Sequence, residues 1–323
     1  MVRNGLLKAT ACRMASSRRF LLGRGCPLVV AGGMAGALLL AARPKTLPAA
    51  IVPVWAGCVL AWKLTGHCDA LLAVCTLLGA ICIQIATNFF NDAIDARKGA
   101  DTSARLGPVR VTASGRMSRG AVMGWGSLFL VGAVVFGVPL YQARGWPMLA
   151  IGVPSLFLAY GYTGGPWPLA YRGMGELFVV LFFGFVAVMG TVFVQTGLCP
   201  VAGALLGLQV GLLSAVLISI NNLRDHQEDA TTGKHTLAVR LGPQVALAVI
   251  WLEILGAALA GAIWIPLGMA PLAIASLPVL LIGGFLGWRL KVTPPGAAYN
   301  KLLALAGLQL ILFAAVFHLA ARW

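Results

Sequence analysis

Apolar residues run through this chain in long blocks broken by short polar stretches. Blocks of about 20 residues match the length a helix needs to cross a hydrocarbon core of about 30 Å. They predict nine membrane helices, at about 45–64, 70–95, 118–140, 147–163, 175–197, 201–223, 244–266, 270–289 and 300–320. The fourth block is the shortest and stops at Gly164-Gly165-Pro166, a turn-forming sequence. The predicted fold class is therefore all-α integral membrane.

Composition supports the same class. The chain is 59% hydrophobic and 10% charged, with a mean hydropathy of +0.90. A soluble protein of this length needs more polar surface. The net charge of +15 does not signal nucleic acid, because the basic residues are scattered among short loops. Of the 24 Lys and Arg, all but Lys63, Arg144 and Arg322 fall in the N-terminus or in loops on one side of the bilayer. That asymmetry places this side in the cytoplasm, with the chain multi-pass in the cell (inner) membrane.

Residues 1–40 stand apart as a basic extension, with Arg3, Lys8, Arg13, Arg18, Arg19 and Arg24 and no acid before Asp69. A basic inward-facing tail or a translation start at Met14 or Met34 is preferred over an organellar transit segment. Residues 41–323 read as a single polytopic domain. The seven cysteines show no metal spacing; Cys58 and Cys68 are the one pair with a spacing worth following.

Acids are scarce, nine in all, and five lie in two clusters. One is Asn88-Phe-Phe-Asn91-Asp92-Ala-Ile-Asp95; the other is Asn221-Asn222-Leu-Arg224-Asp225-His226-Gln-Glu228-Asp229. Both fall at the cytoplasmic ends of apolar helices, the second and the sixth. At about 100° per residue, Asn88, Asn91, Asp92 and Asp95 share an arc of about 100°, with Gln84 one turn earlier; Asn221, Asn222, Asp225, Glu228 and Asp229 share about 120°. Carboxylates at a membrane boundary are costly unless paired or metal-bound, so two such stripes on one side mark a site. Oxygen and amide ligands without His or Cys favour Mg²⁺. Through the metal, the clusters would take a diphosphate, with Lys98, Arg105, Arg110, Arg224 and Lys234 neutralising the rest. His226 reads as a solvated residue, Glu253 as a carboxyl hydrogen-bonded between helices or facing a pore, and Asp69 as a helix N-cap.

Several motifs resemble the UbiA superfamily of intramembrane aromatic prenyltransferases. They are Asn91-Asp92-x-x-Asp95 and Asp225-x-x-x-Asp229-x-x-x-Gly233-Lys234-x-Thr236-Leu-Ala-Val-Arg-Leu-Gly242, with Ala42-Arg43-Pro44-Lys45-Thr46, Lys98-Gly-Ala-Asp101, Gly107-Pro-Val-Arg110, Tyr162-Thr-Gly-Gly-Pro-x-Pro168-Leu169 and Gly175-Glu176. The similarity spans about residues 41–320. One departure is Gly99 where the superfamily usually has a second aspartate; the acid at Asp101 resembles the 1,4-dihydroxy-2-naphthoate branch.

The resemblance implies nine helices around a central cavity, a cytoplasmic cap from loops 2–3 and 6–7, and a lateral opening to lipid. It implies transfer of a polyprenyl group from an allylic polyprenyl diphosphate to dihydroxynaphthoate, with loss of CO₂ and diphosphate, giving demethylmenaquinone. Asn88, Asn91, Asp92, Asp95, Asp225 and Asp229 would hold Mg²⁺. Lys98, Arg110, Arg224 and Lys234 would grip the diphosphate. Tyr162 would face the allylic cation through its ring, and Arg43 and Lys45 would meet the acceptor carboxylate. The alternatives are a related prenyltransferase acting on hydroxybenzoate or homogentisate and a cation-coupled transporter. Coupling acids in transporters sit near the bilayer midplane, whereas these sit at its edge.

Overall fold

The structure is a computed structural model, and it describes residues 33–99 and 106–323. The expectations for 1–32, Asp101 and Arg105 lie outside the described residues. Residues Ala37–Trp323 form one compact unit, which carries the cavity and its lining.

The helices are α1 (Met34–Ala42), α2 (Pro48–Thr65), α3 (Ala70–Lys98), α4 (Arg119–Arg144), α5 (Pro147–Gly161), α6 (Gly175–Thr196), α7 (Val201–Thr231), α8 (Leu237–Leu241), α9 (Pro243–Ala260), α10 (Ser276–Val292) and α11 (Tyr299–Ala320). No strand occurs among the described residues. Among the described residues, eight helices are long and apolar enough to cross a membrane; α9 and α10 count with the short turns that extend them, Gly261–Trp264 and Ala270–Ala275. The ninth predicted span is α5, which has 15 residues and reaches only about 22 Å.

Two helices run past the ends that hydrophobicity marks. α3 continues to Lys98 and α7 to Thr231. An apolar window reports what the hydrocarbon sees, whereas a helix ends where its backbone finds a cap. For α3 that cap is Gly99, whose φ of 69° suits a residue without Cβ. The acidic clusters are therefore the terminal turns of continuous helices. His226, expected in a solvated loop, is half-buried on α7 with Nδ1 2.8 Å from the Leu223 carbonyl.

Helix starts and ends are closed by side chains. Asp69 Oδ1 accepts the Leu72 N–H at 2.9 Å, the expected N-cap. The Gln195 amide accepts from the Asp69 N–H and donates to its carbonyl, at 2.7 and 3.1 Å. Arg144 donates to the carbonyls of Phe193, Val194 and Gln195 at 3.2, 2.8 and 2.9 Å, satisfying the end of α6. Cys58 and Cys68 are free thiols. Glu253 accepts from Ser219 Oγ at 2.8 Å, tying α9 to α7 as the inter-helix option expected.

α7 is the central column. It packs on α6, α9, α11 and α2, while α3 packs on α2, α4 and α5. The α6–α7 seam is set by small residues. Gly207-x-x-x-Gly211 on α7 faces Gly184 on α6, and a Cβ at Gly184 would overlap the Gly207 carbonyl oxygen. Such seams let backbones approach where lipid gives no hydrophobic drive between helices. The same stretch of α6, Val180–Met189, is wound as a π-helix. Its side chains Phe182, Phe183, Val186 and Ala187 line a cavity of about 1380 Å³.

Replacing Gly184 with valine should force α6 off α7. The expected result is a loss of about 1–3 kcal/mol, seen as a lower thermal midpoint in detergent. An unchanged midpoint would contradict the packing described.

Candidate active site

The cavity is apolar along α4, α5 and α6 and polar at one end. The polar end is formed by the last turns of α3, by Asn221 and Asn222 of α7, by the loop 106–118, by the turn Leu169–Tyr171 and by the loop 232–236; Asp92, Asp225 and Asp229 stand behind this lining.

On α3, Asn88, Asn91 and Asp95 line the cavity. Asn88 donates to the Ala42 carbonyl at 2.9 Å and to Thr46 Oγ1 at 3.0 Å. Asn91 accepts from the Thr163 hydroxyl. Asp95 takes Arg110 Nη2 on Oδ2 at 3.0 Å and the Tyr171 hydroxyl on Oδ1 at 2.8 Å. Asp92 does something else. It is 1% exposed, and its oxygens accept the N–H groups of Val111 and Thr112 at 3.0 and 2.9 Å. It lies at the edge of the polar stripe, where the loop 106–118 packs. Acids one turn apart thus hold consecutive loop residues: Asp92 anchors the backbone just after Arg110, and Asp95 receives the Arg110 side chain.

On α7, Asn221 and Asn222 line the cavity. Asp225 is clamped by its neighbour Arg224 through Nε and Nη2, at 2.7 and 2.6 Å. Arg224 also donates to Asn221 at 2.8 Å and to Asn300 at 2.6 Å. Asn300 donates in turn to the Leu106 carbonyl at 3.0 Å, which joins the first loop to the second cluster. Asp229 pairs with Lys234 at 3.5 Å, and Lys234 lines the cavity.

Of the predicted cations, Arg110, Lys234, Arg43 and Lys45 line the cavity, whereas Lys98 and Arg224 do not. Lys98 donates to the Thr163 carbonyl at 2.8 Å and sits 3.8 Å from the Tyr171 ring centroid. Arg43 holds a positive φ of 52°, a costly conformation for a residue with a Cβ. Tyr162 lines the cavity, half-buried, with its hydroxyl against Gly175.

Three residues of the site were not singled out by periodicity. Tyr171 joins Asp95 to Lys98, and its carbonyl accepts the His235 N–H at 3.3 Å. Asn300 bridges the clusters from α11. Glu176 lines the cavity and accepts from Asn222 at 2.9 Å. Its scarcity value as one of nine acids was the available signal.

Among the described residues, no three acids, histidines or cysteines converge into a ready-made metal cage. The donors are nonetheless of the right kind. Mg²⁺ keeps waters and takes one or two carboxylates together with substrate phosphates. Asp95 and Asn91 on α3 line the cavity and are donors of that kind, whereas Asp229 meets the cavity only through its partner Lys234.

The UbiA prenyltransferase family matches residues 50–307. The 1,4-dihydroxy-2-naphthoate octaprenyltransferase of Haemophilus influenzae is 37% identical over 209 residues, covering 62% of this chain and 68% of the relative. The protein of that name in Bacillus subtilis is 33% identical over 227 residues, covering 68% and 73%. A UbiA homolog from Archaeoglobus fulgidus, solved bound to DMAPP and Mg²⁺, superposes with a TM-score of 0.65 at 16% identity, covering 88% of this chain and 99% of that one. With the family match spanning most of the helical bundle and the fold shared with solved relatives, this chain belongs to the UbiA prenyltransferase family.

Proposed function

We propose that this protein transfers a polyprenyl group from an allylic polyprenyl diphosphate to 1,4-dihydroxy-2-naphthoate, releasing CO₂ and diphosphate and giving demethylmenaquinol, the two-electron-reduced form of demethylmenaquinone. The observation that carries this function is the joining of two acid–cation helix ends at the polar head of a long apolar cavity. The acceptor rests on the names of the Haemophilus and Bacillus relatives.

The diphosphate sits at the polar end, where Arg110 and Lys234 turn from their carboxylates toward the phosphate oxygens. Lys98 adds charge from the rim, and Arg224 keeps Asp225 and Asn300 in register. These cations are already in place when negative charge grows on the leaving group, which lowers the barrier without reorganisation. Mg²⁺, when bound, would neutralise further phosphate charge; Asp95, Asn91 and Asp229 would hold it, with Asn88, Asp92 and Asp225 in support. The prenyl tail lies along Phe182, Phe183 and Val186. The Tyr162 ring faces the allylic carbon as cation character develops, and the apolar walls keep water from quenching it. Arg43 and Lys45 meet the acceptor carboxylate. Residues 41–323 act as one prenyltransferase domain behind the extension 1–40. The site faces the cytoplasm of the cell membrane, and loops 106–118 and 232–236 cap it; the Lys and Arg asymmetry supports this orientation.

Membranes carrying the protein should convert 1,4-dihydroxy-2-naphthoate and a polyprenyl diphosphate to prenylated product and CO₂ only with Mg²⁺ present. Turnover with hydroxybenzoate or homogentisate instead would replace the acceptor, and no turnover with any of them would remove the function. Arg110→Ala and Lys234→Ala should each raise the KM for the diphosphate about tenfold or more, leaving the KM for the acceptor within about twofold. Equal effects on both substrates would contradict the assignment.

A further inference from the structure

Glu176 is an acid that the diphosphate site does not use. It stands in the first turn of α6, at the cavity wall, with 8% of its surface exposed. One carboxylate oxygen, Oε1, accepts from the Asn222 amide at 2.9 Å. The other, Oε2, is buried and has no hydrogen-bond partner among the described residues. A helix dipole accounts for an acid in a first turn. It does not account for burying one whose second oxygen goes unmet, which is unfavourable without a partner.

The surroundings have the shape of a ring-binding site. Gly175 is buried beside Glu176, and a Cβ there would stand 2.9 Å from the Tyr162 hydroxyl, 3.2 Å from Ile218 and 4.0 Å from the Asn222 amide nitrogen. Tyr162, Ile218 and Asn222 therefore close around the start of α6, and all three line the cavity. An acceptor-only carboxylate oxygen in such a place calls for a ligand that brings a hydroxyl donor on a flat apolar body.

We propose that Glu176 binds a ring hydroxyl of the aromatic acceptor through Oε2 and takes its proton during transfer. This rests on the function proposed above. As the allylic C–O bond breaks, diphosphate leaves with the electron pair. The ring carbon bearing the carboxylate bonds to the allylic carbon, the neighbouring hydroxyl becomes a carbonyl, and its proton passes to Oε2. The resulting β-keto carboxylate then loses CO₂. The electrons of that C–C bond restore the aromatic ring, and the oxygen takes its proton back from Glu176. The residue begins and ends as a carboxylate, and no further reactant is needed. Asn222 acts as a positioning residue that holds the carboxylate through Oε1.

The test is calorimetric binding to the full-length protein in detergent, with thermal midpoints recorded for each variant. 1,4-Dihydroxy-2-naphthoate should bind Glu176→Gln about ten- to a hundredfold more weakly than wild type, while geranyl diphosphate binds both alike. The 1-methoxy analogue lacks the proton, so it should bind weakly to wild type and lose little more in the variant. Glu176→Asp should recover part of kcat, and Glu176→Gln should lower kcat as well as affinity. Unchanged dihydroxynaphthoate binding in Glu176→Gln, equal loss of both ligands, or no binding to wild type would overturn the proposal. Normal wild-type turnover with a silent Glu176→Gln substitution would remove the proposal and keep the function. Glu176-dependent binding without any wild-type turnover would keep the hydroxyl-binding role and overturn both the proton transfer and the function.

Discussion

A carboxylate carried into an apolar bundle must be met by a donor, and the site is built around that requirement. Among the described residues the buried acids are Asp92, Asp95, Glu176, Asp225, Asp229 and Glu253. Each finds one: backbone N–H groups for Asp92, Arg110 and Tyr171 for Asp95, Asn222 for Glu176, Arg224 for Asp225, Lys234 for Asp229 and Ser219 for Glu253. Removing one partner from a buried ion pair typically costs about 3–5 kcal/mol. The Arg110–Asp95 and Lys234–Asp229 pairs tie the loops 106–118 and 232–236 to the helix ends.

The same pairing prepares the site for an anion. Arg110 and Lys234 each bridge a carboxylate and the cavity. On the proposed function, a polyanion entering there would meet cations already held in place, and the carboxylates they leave would become available to a metal. One set of charges would then serve the resting fold and the loaded state. Tyr171 and Asn300 matter because they connect the parts: Tyr171 ties Asp95 to the loop 232–236, and Asn300 ties the loop 106–118 to Arg224.

Much of this is legible in the sequence. Long apolar blocks locate the spans, because the bilayer tolerates little else. Asp69 is readable as an N-cap from its place before an apolar run. The clusters at 88–95 and 221–229 are conspicuous because acids are so few. Less legible is what faces each position. Periodicity puts Asp92 on the same stripe as Asp95 but does not reveal that a loop lies against that edge, so Asp92 looks like a cavity ligand and is a loop anchor. Arg224 and Asp225, adjacent in sequence, read as separate functions and form one clamp. The α6–α7 seam depends on Gly184 meeting Gly207 across helices distant in pattern. Tyr171 follows a turn-rich stretch without periodicity, and only the folded chain brings it to Asp95.

On the proposed function, one anion site lies at the head of the cavity, between α3 and α7. The most direct measurement is an experimental structure in lipid nanodiscs with Mg²⁺ and a non-reactive allylic thiolodiphosphate. Phosphate density between the two helix ends, in contact with Arg110 and Lys234 and with the tail along Phe182 and Phe183, is the predicted result. Phosphate bound elsewhere, with the Arg110–Asp95 and Lys234–Asp229 pairs intact, would contradict it.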